Sequence, residues 1–485
     1  MLKYTAMRKN LCLFFLLFGF WLGYACAENF PNIERFDKSD RVLVLAPHPD
    51  DETIACAGII QQAKARGADL CVAYLTYGEH NELAFIVYRK LPPITRWDFA
   101  SMGQVRRNEA IKAMKYLGLS EDRLIFLGYP DFGTFDIFSR YWQTNNPFWS
   151  IMTRISAVPY KNALSPGAPY VGESILKDLK DVLLKFRPNK IFVSHAADVN
   201  VDHKALYLFL QVALADLKND LPNPRVYPYL VHAYGWPMPR HLHPLLTLDP
   251  PQDLIGTDVA WWKYRLSPQQ LKNKHRAVLL YPSQTNSSAF YLLSFVRKNE
   301  LFGDFTAIDL APEQKKPVPG PEKTNRLWDF ACMMRSFLGL SGKCLPPAPS
   351  KSVLLPRASG PVKFFIEDGS LMIRVQKTKT TAKSRAACWV HLFGYSYKTP
   401  FERMPKLYIL TLYDKIRAFD GPKMVEIPGA SMAWSERELN LKVPLKALGE
   451  PDFILASVKA YTGALPIYTT GFRRINLTRN AQDRL

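Results

Sequence analysis

Cysteine is scarce, with seven in 485 residues. If an N-terminal leader ends at Ala27, five remain: Cys56, Cys71, Cys332, Cys344 and Cys388. That is too sparse for a disulfide scaffold, and none has zinc-finger spacing. Cys332 and Cys344 flank a short segment and can pair in an oxidising compartment, whereas Cys56 and Cys71 sit in apolar surroundings that suit buried thiols. No glycine-rich loop is placed to cradle phosphates, and no serine or cysteine occupies an elbow motif, so nothing points to nucleophilic catalysis. Past residue 27 no apolar run is long enough to cross a bilayer. Acidic residues are in the minority, 43 against 63 Lys and Arg, for a formal charge of +20. Residues 351–485 hold much of the excess, with 22 basic against 11 acidic residues. Such a field attracts polyanions or anionic lipid surfaces; a generally basic, solvated surface is the plainer alternative.

The N-terminus sets an expectation of compartment. Lys3, Arg8 and Lys9 precede an apolar stretch over 11–24, and Ala25-Cys26-Ala27 offers a small-residue cleavage site before Glu28. This is the pattern of a secretory signal peptide over 1–27, implying an exported protein that is periplasmic, secreted or envelope-associated. An apolar stretch of roughly 15 residues is short for a span, which takes about 20. An uncleaved anchor and a lipoprotein on Cys26 are the alternatives, although Gly23-Tyr24-Ala25 departs from the usual lipobox. For an exported chain the polyanions within reach are envelope glycans or lipids, and no nucleic acid.

Residues 41–52, Arg-Val-Leu-Val-Leu-Ala-Pro-His-Pro-Asp-Asp-Glu, carry the main chemical signal. A Val- and Leu-rich run reads as a buried parallel strand, and open α/β folds collect ligands beyond the carboxyl ends of such strands. His48 and Asp51, three apart on a turn into a helix, can face one ion, leaving Asp50 free for proton transfer. Asp and Glu also suit the first turn of a helix without any chemistry. A second apolar run, 190–194, leads into His195, Asp198, Asn200, Asp202 and His203 and then an amphipathic helix over 204–217. Catalytic zinc takes three protein ligands of the His and Asp type plus water, and His48, Asp51 and His203 meet that count.

At these residues the chain resembles the PIG-L / LmbE-like family of zinc-dependent N-deacetylases, whose first motif reads HPDDE and whose second ends in Asp-His. The resemblance implies one Zn2+ on His48, Asp51 and His203, Asp50 as general base, and an amino-sugar substrate such as an N-acetylglucosamine-containing glycan. Asp202, in the second motif, is the other catalytic candidate. Many members have His-Pro-Asp-His there; this chain has Asn200-Val201-Asp202-His203. Asn200 cannot transfer a proton, which leaves the general acid open: the amide can donate to an oxyanion, Asp50 can carry the proton to the leaving amine, and His195 or His232 can supply an electrophilic contact. The segments 106–110, 126–131, 229–237 and 281–284 also look like family segments, so the resemblance covers about 36–305. Arg106 either orients the substrate or a carboxylate, or is a plain salt-bridged side chain.

Strand and helix alternate from residue 41 to about 232: strands at 69–76 and 124–127, helices at 100–117 and 175–186. This implies a parallel, Rossmann-like sheet. Ser267-Pro268-Gln269-Gln270 reads as a capped helix start running to about 280, and 131–171 as an insertion near the mouth of the site. The segment 306–352 is linker-like, proline-rich at 315–321 and 346–349 around a short helix at 327–338. Short strands at 362–366, 371–375, 389–395, 407–413, 439–443, 453–461 and 471–477 predict a β-sandwich over 353–485. Its outline suits a carbohydrate-binding or a structural module. It is expected to fold alone and to be dispensable for turnover of a small substrate. The function expected is hydrolysis of an N-acyl group from an amino sugar; the rivals are another small amide or ester, and a non-catalytic glycan-binding protein on the same fold.

Overall fold

The computed structural model describes residues 30–310 except 93–94, and 362–477 except 377–386, 413–414, 436–437, 463–464 and 470. The expected leader, the proline-rich stretches, the helix near 327–338, and Cys332 and Cys344 lie outside the described residues.

The apolar runs become strands buried on both faces. β1 (Arg41–Ala46) leads into α1 (Asp51–Ala65), and β2 (Asp69–Thr76) into α2 (Glu82–Arg89) and α3 (Arg96–Tyr116). β3 (Leu124–Tyr129), α4 (Thr134–Arg140), α5 (Gly172–Phe186), β4 (Lys190–Ser194), α6 (Val201–Asp216) and β5 (Arg225–Tyr229) follow. β6 (Val259–Arg265), α7 (Pro268–Val278), α8 (Pro282–Leu292) and β7 (Asn299–Phe305) complete the domain. The capped start at Ser267 is present: its hydroxyl accepts from Gln270 N at 3.2 Å and Gln270 reaches back to Ser267 N at 2.9 Å.

The sheet runs β3-β2-β1-β4-β5-β7-β6. β1 to β5 are parallel, whereas β7 pairs antiparallel with both β5 and β6. The chain winds outward from β1 to β3, then returns to the other side of β1 for β4. At that reversal the loops after β1 and β4 diverge and open a crevice, the usual ligand position in doubly wound sheets. Residues 48–51 and 195–203 are those two loops and the helix starts they feed.

The C-terminal strands are β8 (Ile308–Leu310), β9 (Val362–Glu367), β10 (Ser370–Gln376), β11 (Ala387–Tyr395), β12 (Lys406–Leu412) and β13 (Lys415–Asp420). β14 (Lys423–Val425), β15 (Ser431–Trp434), β16 (Glu438–Pro444), β17 (Phe453–Thr462), β18 (Leu465–Thr469) and β19 (Arg473–Leu477) follow. They form one sheet of order β15-β16-β10-β9 and another of order β14-β13-β12-β11-β17-β19-β8, with β18 beside β17. Leu371, Ile373 and Leu441 of the first meet Val390, Ile409 and Ile454 of the second in a sandwich core.

Two features differ from the sequence expectation. β8 lies in the segment expected to be linker, yet it pairs with β19. The outer face of the larger sheet is also no free surface: Phe393, Tyr395, Phe453 and Leu455 share one core with Phe138, Trp142 and Phe209 of the α/β domain. The Phe138 and Phe393 ring centroids are 5.3 Å apart, and those of Trp142 and Phe401 4.9 Å. The sandwich is therefore not set up to be dispensable, because removing it uncovers this aromatic junction. Phe138→Ala is expected to cost about 3–5 kcal/mol and to lower a single calorimetric transition of the whole chain. Two separately moving transitions would show that the two parts do not share a core.

Candidate active site

The first turn of α1 is built around Asp51. Its Oδ2 accepts from His48 N at 3.0 Å, faces His48 Nδ1 at 3.3 Å, and lies 3.1 Å from His203 Nε2. His203 stands in the first turn of α6, whose cap is Asn200: the Asn200 Oδ1 accepts from Asp202 N at 2.8 Å. All three side chains are buried, and one donor atom of each lies within 4.8 Å of the others. Two buried imidazoles and a carboxylate whose donor atoms converge on one point beside a cavity are the donor set a divalent cation takes.

Carboxylates stand behind both rings. Asp198 Oδ2 is 3.1 Å from His203 Nδ1 and accepts from Val231 N and His232 N. Asp131 Oδ1 is 3.0 Å and Asp202 Oδ2 3.2 Å from His48 Nε2. Such partners fix ring orientation and raise ligand basicity. Asp202 is fully occupied in this way: it also accepts from Phe132 N at 2.7 Å, and from Thr134 N at 3.1 Å and Oγ1 at 2.5 Å. It ties the 132–134 turn to His48 and does not line the cavity, so the structure makes it a positioning residue and not the catalytic candidate expected from the sequence.

Asp50 is held in a backbone conformation that side chains rarely adopt, φ 123°. Strain of this kind persists only where the surroundings impose it. Here Asp50 N donates to Glu52 Oε2 at 3.0 Å and Asp50 O accepts from Thr53 N and Ile54 N. Glu52 is itself fixed by Thr53 and by the Tyr281 hydroxyl. Arg106, buried, donates to Pro49 O at 2.8 Å and Gly78 O at 2.7 Å, and its Nη2 lies 3.4 Å from Asp50 Oδ2. A Cβ on Gly78 would stand 2.2 Å from that guanidinium, so the glycine makes room for it. Burial pushes Asp50 up to about 8, with Arg106 opposing.

A cavity of about 480 Å³ opens over these groups. His48, Asp50, Asp51 and Arg106 line it, together with Asn200, His232 and Tyr291. His232 Nδ1 is 3.3 Å from Asp198 Oδ1, which orients the ring towards the site. Because the Asn200 carbonyl oxygen caps α6, only its NH2 remains as a donor. His195 is elsewhere: it stacks on Trp261 at 6.0 Å, accepts from Ala197 N, and burial pushes it down to about 4. The expected electrophilic contact therefore falls to His232. Sequence reading did not assign roles to Asp131, Asp198 or Glu52, although all three stand in the quoted segments. The sandwich also reaches the second motif, since Phe472 N donates to Ala196 O at 3.2 Å.

Comparison with known proteins points to one family of deacetylases. Residues 43–214 match the family described as PIG-L: GlcNAc-PI de-N-acetylase. This part of the chain is similar to PIG-L domains. The chain is 29% identical over 165 residues to 1D-myo-inositol 2-acetamido-2-deoxy-alpha-D-glucopyranoside deacetylase 1 of Saccharopolyspora erythraea, covering 34% of this chain and 48% of that protein. It is 37% identical over 89 residues to the deacetylase of the same description from Saccharomonospora viridis, covering 18% and 31%. The chain thus spans about half, or less, of the length of these curated relatives. A solved N,N'-diacetylchitobiose deacetylase from Pyrococcus horikoshii aligns with 55% of this chain and 84% of its own, at 17% identity and a TM-score of 0.33. The PIG-L match contains His48, Asp50, Asp51, Arg106, Asp131, Asp198 and His203; His232, Tyr281 and Tyr291 lie beyond it.

Proposed function

We propose that this protein is an exported, zinc-dependent N-deacetylase that hydrolyses the acetamide of an amino sugar. The observation that carries the reading is Asp50, at the cavity wall beside the buried His48–Asp51–His203 set. The names of the relatives, deacetylases of an N-acetylated glucosamine derivative, support the substrate class. Export rests on the composition of residues 1–27.

An amide is a poor electrophile and water a poor nucleophile. His48, Asp51 and His203 would hold a divalent ion, and the Lewis acidity it would supply there would lower the pKa of water towards about 7 and polarise an acyl carbonyl. Asp50 takes a proton as the water oxygen bonds to the acyl carbon, then returns it to nitrogen as the carbon–nitrogen bond breaks, giving acetate and the free amine. That task needs one carboxyl able to hold the proton between the two halves, within reach of both water and nitrogen. Arg106 holds the Pro49 and Gly78 carbonyls and so fixes the loop that aims Asp50. His232, oriented by Asp198, and the Asn200 NH2 face the cavity as donors for the oxygen that gains charge.

The test is a substrate panel with the metal-loaded mature chain: N-acetylglucosamine glycosides, N-acetyl amino acid amides and acetate esters. Acetate release from the glycosides, at the highest kcat/KM of the three, is expected. Glycan binding without acetate release would favour a non-catalytic binding protein, and faster cleavage of the esters or amino acid amides would move the substrate class.

A further inference from the structure

α2 is apolar on both sides. Ala84, Phe85 and Tyr88 turn inward against Met102 and Val105 of α3. Leu83, Ile86 and Val87, spaced i, i+3, i+4, turn outward and are 61%, 43% and 39% exposed. A helix on a protein surface ordinarily carries polar residues on that side. The chain continues in the same character past the helix: Leu91 is 67% and Trp97 65% exposed. Neighbouring exposed apolar side chains of this size mark a contact surface.

Charge indicates what covers it. Arg89, Lys90 and Arg96 flank the apolar residues, and the Arg96 guanidinium sits 4.6 Å from the Trp97 ring centroid. The acids of this stretch are engaged, Glu82 with His80 at 2.8 Å and Asp98 in the cap of α3. Apolar side chains and a tryptophan ringed by cations form the kind of surface that settles at the headgroup boundary of an anionic bilayer. A protein partner would meet the apolar residues equally well but gives no reason for three flanking cations on a chain of net charge +20. Among the described residues no helix is long and apolar enough to cross a membrane. Glu82 and Leu83 line the cavity, with Phe132 also in its wall and half exposed.

We propose that the outward face of α2, continued by Leu91 and Trp97, docks on an anionic bilayer and presents the cavity mouth to groups at the membrane plane. This does not rest on the chemistry assigned to the cavity, since binding is read without turnover. Flotation of the full mature chain with phosphatidylcholine vesicles containing roughly one third phosphatidylglycerol is expected to carry the protein. Phosphatidylcholine alone should carry little, and salt should weaken binding because exposed charges are screened over about 8–10 Å. Ile86→Asp with Val87→Asp should lower partitioning about tenfold or more, and Ile86→Leu with Val87→Leu should retain it. Leu91→Asp, beyond the helix and its packing, should give a comparable loss with Tm unchanged, which separates docking from folding. Wild-type flotation of both Asp variants would place any lipid binding elsewhere, for instance on the basic sandwich, and overturn the proposal. So would a wild-type chain that stays with the aqueous phase, or a dimer that the Ile86→Asp, Val87→Asp chain dissociates.

Discussion

Asp50→Asn is expected to lower turnover by about 10²- to 10⁴-fold while the divalent ion stays bound. The substitution keeps size and cap position but removes the carboxylate of the cavity wall that adjoins Asp51 without serving the His48–Asp51–His203 set as a donor. It should also make the metal-free chain more stable. Burial raises the Asp50 pKa to about 8 in the folded state, from an ordinary value of 3.8. The native state therefore disfavours the charged form, and the neutral amide relieves that cost at neutral pH. The stability gain builds as pH rises from 3.8 to about 8 and disappears below 3.8, where both states are protonated. Asp50→Gly should be more stable still, because glycine also accepts φ 123° without strain of about 1–3 kcal/mol. Steady-state rates with metal analysis, and thermal melts of the metal-free proteins across pH, read both effects. Near wild-type turnover in Asp50→Asn would remove Asp50 from the chemistry.

His203→Ala is expected to bring bound ion from about one per chain to near zero after dialysis, and activity with it. The loss is more than one donor in three. His203 stands between Asp51 and Asp198, 3.1 Å from each. Burial alone would raise both carboxyl groups, yet His203 holds each well below the usual carboxylate range, helped by His48 at Asp51 and by His232 at Asp198. Removing the imidazole leaves two buried acids facing a cavity, and breaking a buried charge pair in this way typically costs about 3–5 kcal/mol. The variant should therefore melt lower, and its stability should recover as acid protonates the carboxyls. Full ion occupancy in both His203→Ala and His48→Ala would rule out the assigned donor set.

Much of this site is legible in the chain because local patterns encode it. The Val- and Leu-rich run before His48 reads as a strand buried on both faces, and His48 and Asp51 share a helix start by spacing. The strand of residues 69–76 and the Ser267 cap are equally local. What escaped was assembled by the fold from distant segments. Asp131 reaches His48 across the sheet, and Asp198 serves His203 and the His232 backbone together, which no spacing reports. Asp202 misled because a carboxylate beside a donor histidine looks catalytic, whereas its oxygens are taken up by the 132–134 turn. His195 misled for a similar reason: it ends an apolar strand as a ligand would, but turns to Trp261. The docking of the sandwich was visible in principle. β11 is apolar at alternating and intervening positions, Leu392 inward and Phe393 outward, the mark of a strand covered on both sides. A one-faced reading of its pattern hid that. The expected leader and the cysteine pair at 332 and 344 fall outside the described residues.

The central claim is that one cation on His48, Asp51 and His203, with Asp50 beside it, hydrolyses an amino-sugar acetamide. The most direct measurement titrates zinc into metal-free mature protein while following acetate and free amine from an N-acetylglucosamine glycoside. Acetate and amine appearing in equal amounts, with a rate that climbs to a plateau near one ion per chain and is lost to a chelator, is the predicted result. A fully loaded protein that releases no acetate, or a rate indifferent to ion and chelator, would contradict it.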